Sequence, residues 1–377
     1  MDVEKRNKGI KIAIIVAIIV LVIIVLVDVF KKYVDTSTWF TTTNITKTEK
    51  EVTVTDTGIS DAVDKLYDAT VIVEVGTSSS SLTGWGSGFV YKVDGNTAYI
   101  LTNYHVVTGS SYISIVYTDD STTTGTYVGG DEYADVAVIK VDAKTIKAVA
   151  EIGSSSSVKL GDTVFAIGTP VSLSYKFSVT RGILSGKDRL VSMSSSSSQS
   201  SYGFSTSESW YMNLLQIDAS INSGNSGGPL ANSNGQVIGI TNSKLSNAYS
   251  STSIENMGFA VPIEDAVMVA DQVISTGKVT RPFLGLSMTT VDQASRYNID
   301  VGSADSGAVV VEVQSGSAAE HAGLKSGDII TKFGDYDISD YKYLKYYLYR
   351  YKVGDSVTIT YTRNGEEHTT DITLTSN

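Results

Sequence analysis

The chain has 377 residues, with 40 acidic against 29 basic side chains, a net charge of −11 at pH 7 and 42% apolar residues. That apolar share excludes a disordered chain, and the acidic balance provides no basic surface, so no nucleic-acid partner is expected. There is no cysteine and there are only three histidines, His105, His321 and His368, which excludes disulfides, cysteine nucleophiles and thiolate zinc sites and argues against any metal or cofactor.

In chain order, the first feature is apolar. Ile12 to Val27 is an unbroken run of Ala, Ile, Val and Leu, and the stretch from Ile10 to Phe30 would make a helix of roughly 31 Å at about 1.5 Å per residue. That spans a hydrocarbon core, with Lys11 able to snorkel at one end and Asp28, Lys31 and Lys32 at the other. No small-residue cleavage site follows Val27, so residues 1–32 read as a short inner tail and an uncleaved transmembrane anchor rather than a signal peptide. Lys5, Arg6, Lys8 and Lys11 precede the span and put the tail inside and the rest on the extracytoplasmic side, giving a single-pass protein of the cell membrane. Residues 33–57, rich in Thr, read as a linker or stalk, and Asn44-Ile45-Thr46 within them matches a glycosylation sequon.

Residues 58–278 form a β-rich domain by pattern. Short β-branched runs separated by Gly, Asp, Asn and Ser turns predict strands at Ala69–Val75, Gly88–Val93, Ala98–Val107, Tyr112–Thr118, Val136–Val141, Val164–Gly168, Leu214–Ile217, Val237–Thr241 and Gly258–Val261. Many short strands at close spacing predict an all-β barrel or sandwich. Residues 192–209 are a serine-rich tract that fits a mobile surface loop. From Pro262 to Gly277 the spacing turns helical and closes the domain. Residues 279–377 then make a second, smaller α+β domain, with strands at Phe283–Leu286, Ala308–Val313, Ile329–Phe333, Val357–Tyr361 and Thr369–Leu374 and helices at Ser317–Ala322 and Asp340–Tyr351.

Three short segments carry chemistry: Thr102-Asn103-Tyr104-His105-Val106-Val107, Ala134-Asp135-Val136-Ala137-Val138 and Asn222-Ser223-Gly224-Asn225-Ser226-Gly227-Gly228-Pro229-Leu230. Each alone is ordinary: a structural histidine, a turn aspartate, a glycine turn. Together they place His, Asp and Ser in the chymotrypsin order. Serine is a weak nucleophile and needs an imidazole to take its proton, and an ionised aspartate to orient that imidazole. His105 is the only histidine of the β-rich domain, so the base has no competitor. Glycines beside Ser226 leave the N–H groups of Gly224 and Ser226 free to face a developing oxyanion. No HExxH or equivalent cluster appears, which sets metal-dependent hydrolysis aside.

On these motifs, together with Asp218-Ala219-Ser220-Ile221 ahead of the serine segment and Gly258-Phe259-Ala260-Val261-Pro262, the chain resembles the HtrA/DegP serine proteases. The resemblance runs from Ala69 to Leu374. It implies a chymotrypsin-like double β-barrel followed by a PDZ domain, with His105 as general base, Asp135 as its orienting partner and Ser226 as nucleophile. Tyr104 and Ser223 depart from residues common in the family, and neither departure removes a catalytic group. In such folds the residue six before the nucleophile, here Ser220, lies at the base of the primary pocket. Its lack of charge argues against cleavage after Lys or Arg. The resemblance further implies unfolded or damaged protein substrates, a protein-quality-control role, and a homotrimer or larger assembly. Phe283-Leu284-Gly285-Leu286 resembles the carboxylate-binding loop of PDZ domains, whose N–H groups cradle a chain terminus, and implies C-terminal peptides as partners. The competing reading is a non-catalytic chaperone or peptide-binding scaffold.

Overall fold

The computed structural model describes residues 3–33, 58–194, 209–243 and 256–376. The expected stalk, its sequon and the centre of the serine-rich tract lie outside the described residues. Met1–Asp56 and Thr57–Asn377 are separate units. In the first, Val3–Tyr33 is one continuous helix, α1, and its segment Arg6–Lys32 is long and apolar enough to cross a membrane. The aliphatic residues from Ile10 to Val27 that the structure exposes here are those the sequence assigns to lipid contact.

The second unit begins with a short helix, α2 (Ser60–Tyr67), and continues into two closed six-stranded antiparallel barrels. The first contains β1 (Thr70–Ser78), β2 (Ser81–Asp94), β3 (Thr97–Thr102), β4 (Tyr112–Val116), β5 (Thr122–Asp131) and β6 (Val136–Asp142), with the short helix α3 (Tyr104–Val107) between β3 and β4. The second contains β7 (Thr163–Gly168), β8 (Ser178–Ser194), β9 (Ser209–Ile217), β10 (Pro229–Asn232), β11 (Val237–Thr241) and β12 (Gly258–Pro262). Strand alternation explains the cores. Val71, Val73 and Val75 of β1 point into the first barrel with Ile100 and Ile139, while Ile72 between them faces the opposite way, into a core shared with Leu101, Phe165 and Ile240. Fully burying one such side chain stabilises the fold by about 1.5–3 kcal/mol.

Register positions the site. Thr102 of β3 lies opposite Ala137 of β6, so the chain leaving β3 and the chain entering β6 meet at one barrel rim. In the second barrel Pro229 lies opposite Ile240, which sets the segment before β10 against the end of β11. Helix α4 (Ile263–Thr276) buries Ala266, Val269, Ala270 and Val273 and ends on Gly277, whose φ is +79° and whose N–H reaches the Val273 carbonyl at 2.8 Å.

The remaining elements form the smaller domain: β13 (Pro282–Phe283), β14 (Leu286–Thr290), β15 (Ala308–Val313), α5 (Ala318–His321), β16 (Ile329–Phe333), β17 (Tyr336–Asp337), α6 (Tyr341–Leu348), β18 (Ser356–Arg363), β19 (Glu366–Thr373) and β20 (Thr375–Ser376). Its core gathers Leu284, Val310, Phe333, Leu344 and Ile359. It docks on the barrels through two ion pairs. Arg281 pairs with Asp131 of β5 and lies between the rings of Tyr133 and Tyr349, 4.6 and 4.2 Å from their centroids. Arg350 and the hydroxyl of Tyr346 both bind the buried carboxylate of Asp265 in α4, each at 2.8 Å. Burial pushes the Asp265 carboxyl up despite the opposing pull of Arg350.

Several sequence expectations change. Ala98–Val107 is not one strand: β3 stops at Thr102 and the chain turns into α3. The turn lets the His105 backbone N–H bond Asp135 Oδ1 at 2.9 Å, which a continued strand could not do. Phe283–Leu286 is broken at Gly285, whose φ of +78° ends one strand before the next begins. The helix expected over Asp340–Tyr351 is shorter, with Asp340 capping it by accepting from Lys342 N–H at 2.6 Å. Residues 192–194 and 209, assigned to a loop, continue β8 and β9. Helix α2 and strands β5, β8 and β10 have no counterpart among the expectations; β5, reading TTTGTYVGGD, is too poor in large apolar residues to have been seen.

Candidate active site

His105 sits on α3, at the rim where β3 ends. Its Nδ1 lies 2.7 Å from Asp135 Oδ2. Asp135 occupies the turn between β5 and β6 with a φ of +52°, a conformation aspartate tolerates better than most residues. The turn is fastened by Ala134 N–H to Asp131 Oδ2 at 2.7 Å and by the Asn103 side chain donating to the Asp135 carbonyl at 2.8 Å. The Asp135 carboxylate therefore accepts from the ring and the backbone of the same histidine. It also accepts from Asn242 Nδ2 at 2.6 Å, a donor supplied by the second barrel. Three donors thus converge on a carboxylate that is only 7% exposed.

Ser226 lies in the turn between β9 and β10, at 3% exposure. The first barrel holds its backbone: the Ser87 N–H donates to the Ser226 carbonyl at 2.8 Å, and the Ser87 hydroxyl to the Gly224 carbonyl at the same distance. Gly224 has a φ of +98°, and a Cβ there would meet the Thr169 carbonyl oxygen at 2.0 Å, so no other residue fits. Among the described residues no group accepts a hydrogen bond from the N–H of Gly224 or of Ser226. His105, Gly224 and Ser226 line one groove of about 500 Å³ between the barrels, together with Trp85 and Ser223.

Three residues in a row that the sequence did not single out complete the arrangement. Thr241 N–H and Oγ1 bond the Gly228 carbonyl at 2.9 and 3.1 Å, Thr241 Oγ1 bonds the Asn225 carbonyl at 2.6 Å, and the Gly227 N–H returns to the Thr241 carbonyl at 2.9 Å. Asn242 holds Asp135. Ser243 Oγ lies 2.7 Å from Ser226 Oγ, and the Ser243 N–H donates to Ser226 Oγ at 3.1 Å. No hydrogen bond joins His105 to Ser226 among those the described residues make. Polar residues at a strand end read as turn formers, and nothing local signals their partners.

A groove between two closed six-stranded barrels, followed by a smaller sheet domain, has known counterparts. The trypsin-like peptidase domain family matches residues 86–240 and the PDZ domain family residues 282–374. The serine protease Do-like HtrA of Lactococcus lactis subsp. lactis is 39% identical over 308 residues, covering 79% of this chain and 73% of that protein. The chain belongs to the HtrA serine proteases. The serine protease Do-like HtrB of Bacillus subtilis is 37% identical over 337 residues, covering 84% of this chain and 70% of that protein. Among solved structures, the HtrA-type protease AlgW with a tripeptide superposes with a TM-score of 0.64 at 27% identity, covering 85% of this chain and 97% of that one. The serine endoprotease from Yersinia pestis gives 0.59 at 28%, covering 85% and 98%. This HtrA-type chain is a serine endopeptidase that binds peptide or protein substrates.

The other expected site residues lie elsewhere. Ser220 is exposed, and its carbonyl accepts from Asn225 Nδ2 at 3.4 Å; it is not among the residues lining the groove with Ser226. In the PDZ domain, Phe283, Leu284, Gly285 and Leu286 line a second cavity of about 320 Å³ with Leu344 and Leu348 of α6. The Leu284 carbonyl accepts from Ala319 N–H at 3.0 Å, so in the same trans peptide the Gly285 N–H points the opposite way. His321, on α5, and His368, on β19, both belong to this domain.

Proposed function

We propose that this HtrA-type endopeptidase cleaves through His105, Asp135 and Ser226. Ser226 Oγ attacks the scissile carbonyl while His105 Nε2 takes its proton. Asp135, through Nδ1–H, fixes the tautomer and stabilises the imidazolium. The N–H groups of Gly224 and Ser226 receive the oxyanion, and losing one such donor costs about 10²–10³ in rate. His105 then returns the proton to the leaving amine, and water resolves the acyl-enzyme by the same route. The observation that carries this reading is the 2.7 Å bond between His105 and Asp135 on the wall of the groove that Ser226 also lines. Casein digestion by the full chain and by Ser226→Ala tests it. The variant is expected to lose on the order of 10⁶ in kcat; digestion at the parental rate ends the assignment.

The same proposal covers the setting. Residues 58–278 are the protease domain and residues 279–377 the PDZ domain, after a linker at 33–57. Likeness to the HtrA proteases supports cleavage after small aliphatic residues in unfolded or damaged proteins, with Ser220, uncharged and outside the groove lining that holds Ser226, assigned to the base of the primary pocket. The loop Phe283–Leu286 takes a C-terminal carboxylate, supported by the inward-bound carbonyl of Leu284. Helix α1 anchors the chain in the cell membrane, with the catalytic part on the extracytoplasmic side in protein quality control, as a trimer or larger assembly. Protease accessibility of the PDZ domain in intact against lysed cells reads the topology.

A further inference from the structure

The geometry points to Ser243 as a positioning residue that holds the nucleophile off its base. The inference rests on the reading of Ser226 as that nucleophile. Among the described residues Ser226 Oγ has two partners, and both belong to Ser243: its N–H at 3.1 Å and its hydroxyl at 2.7 Å. Both serines are buried, at 3% and 5% exposure, so water does not compete for these bonds. The acid–base arm on the other side of the groove is complete without Ser226, since His105 already has Asp135 and Asp135 already has Asn242. The triad in this state is therefore split at one joint, between imidazole and hydroxyl.

The chemistry of that split is unfavourable to attack. The Ser243 N–H donates to Ser226 Oγ and draws on the lone-pair density that attack on a carbonyl carbon requires. If the Ser226 hydroxyl donates in the Oγ–Oγ bond, its proton is committed to Ser243; if the Ser243 hydroxyl donates, Ser226 Oγ accepts twice and its lone pairs are occupied; in neither case does a hydrogen bond among the described residues join it to His105. For reaction, Ser226 Oγ must leave both partners and bond His105 Nε2, so the free energy of the Ser243 contacts adds to the barrel's resting stability and to the activation barrier alike. Ser243 can act this way because Asn242, one residue earlier, is pinned through its N–H to the Phe259 carbonyl at 2.9 Å and through its amide to Asp135. The backbone that presents Ser243 is thereby fixed to the same frame as the base.

The test uses the full chain and its Ser243→Ala and Ser243→Gly variants, with two readouts. One is the second-order rate of Ser226 labelling by a fluorophosphonate; the other is kcat and KM on a fluorogenic peptide. Truncation removes the hydroxyl contact, worth about one neutral hydrogen bond, so labelling is expected to rise about fivefold. kcat/KM should rise by a similar factor with little change in KM. A merely structural role for a buried serine predicts slower labelling, because loosening the site misaligns it. Labelling at or below the parental rate in both variants overturns the inference. Ser226→Ala serves as the separate control: if it still labels, the nucleophile assignment fails, whereas a Ser226-dependent rate that Ser243 truncation does not raise sinks only the role of Ser243.

Discussion

The two barrels share one strand order. The first runs β1-β2-β3-β6-β5-β4 and the second β7-β8-β9-β12-β11-β10, the same path six strands later. Their chemistry sits at equivalent places. His105 follows the third strand of its barrel and Ser226 the third strand of the other; Asp135 joins the fifth and sixth strands of the first, and Asn242 and Ser243 follow the fifth strand of the second. Each barrel also pairs its own two loops, His105 with Asp135 and Ser226 with Ser243. What differs is what the pairing does. In the first barrel it holds the imidazole proposed as the base; in the second it occupies the hydroxyl proposed as the nucleophile. The proposed mechanism needs the pairing that neither barrel makes alone, His105 to Ser226 across the groove, so on that proposal the barrel–barrel interface and not either barrel is the functional unit.

Changing the first barrel's internal bond should have the largest effect. Asp135→Asn keeps the shape but presents an amide to Nδ1 and favours the wrong tautomer, so kcat on a fluorogenic peptide is expected to fall about 10⁴-fold with little change in fold by circular dichroism. A loss under tenfold would mean that the intrabarrel pair is structural only. Next come the anchors that hold the PDZ domain, Asp131 of the first barrel with Arg281 and Asp265 of α4 with Arg350. Arg350→Met leaves a buried carboxylate without its cation and should cost about 3 kcal/mol in urea unfolding. An unchanged midpoint would show the second anchor to be idle. The smallest effect is expected for the bond that crosses the groove, Asn242 to Asp135. Removing one charge-assisted donor with Asn242→Ala should lower kcat/KM about 10- to 100-fold, measured on the same peptide. If it lowers nothing, the barrels do not cooperate through this residue.

Much of the first barrel's chemistry was legible because it is carried by rare residues. His105 is one of three histidines in the chain and follows a strongly apolar strand, so few alternatives had to be weighed. Glycines around Ser226 marked a strained turn, and Gly224 does adopt positive φ against the Thr169 carbonyl. Thr241, Asn242 and Ser243 were illegible for the opposite reason. Their residue types are common, and their partners are 16, 107 and 17 positions away in sequence. The α3 turn was missed because Val106 and Val107 prolong the apolar pattern of β3, and only the contact of His105 N–H with Asp135 favours a helical turn over another strand residue.

The sequence by itself determined the apolar N-terminal helix, the β-rich and PDZ-like order of domains, and the His, Asp and Ser segments from which the proposed catalytic residues come, because composition and local periodicity act over a few residues at a time. The closure of two sheets into barrels, the cradle at the end of β11, the twin ion pairs beneath the PDZ domain and the present partner of Ser226 were decided only by tertiary structure. Those features are hydrogen bonds and ion pairs between segments far apart in the chain, and their strength depends on burial and angle that no local pattern encodes.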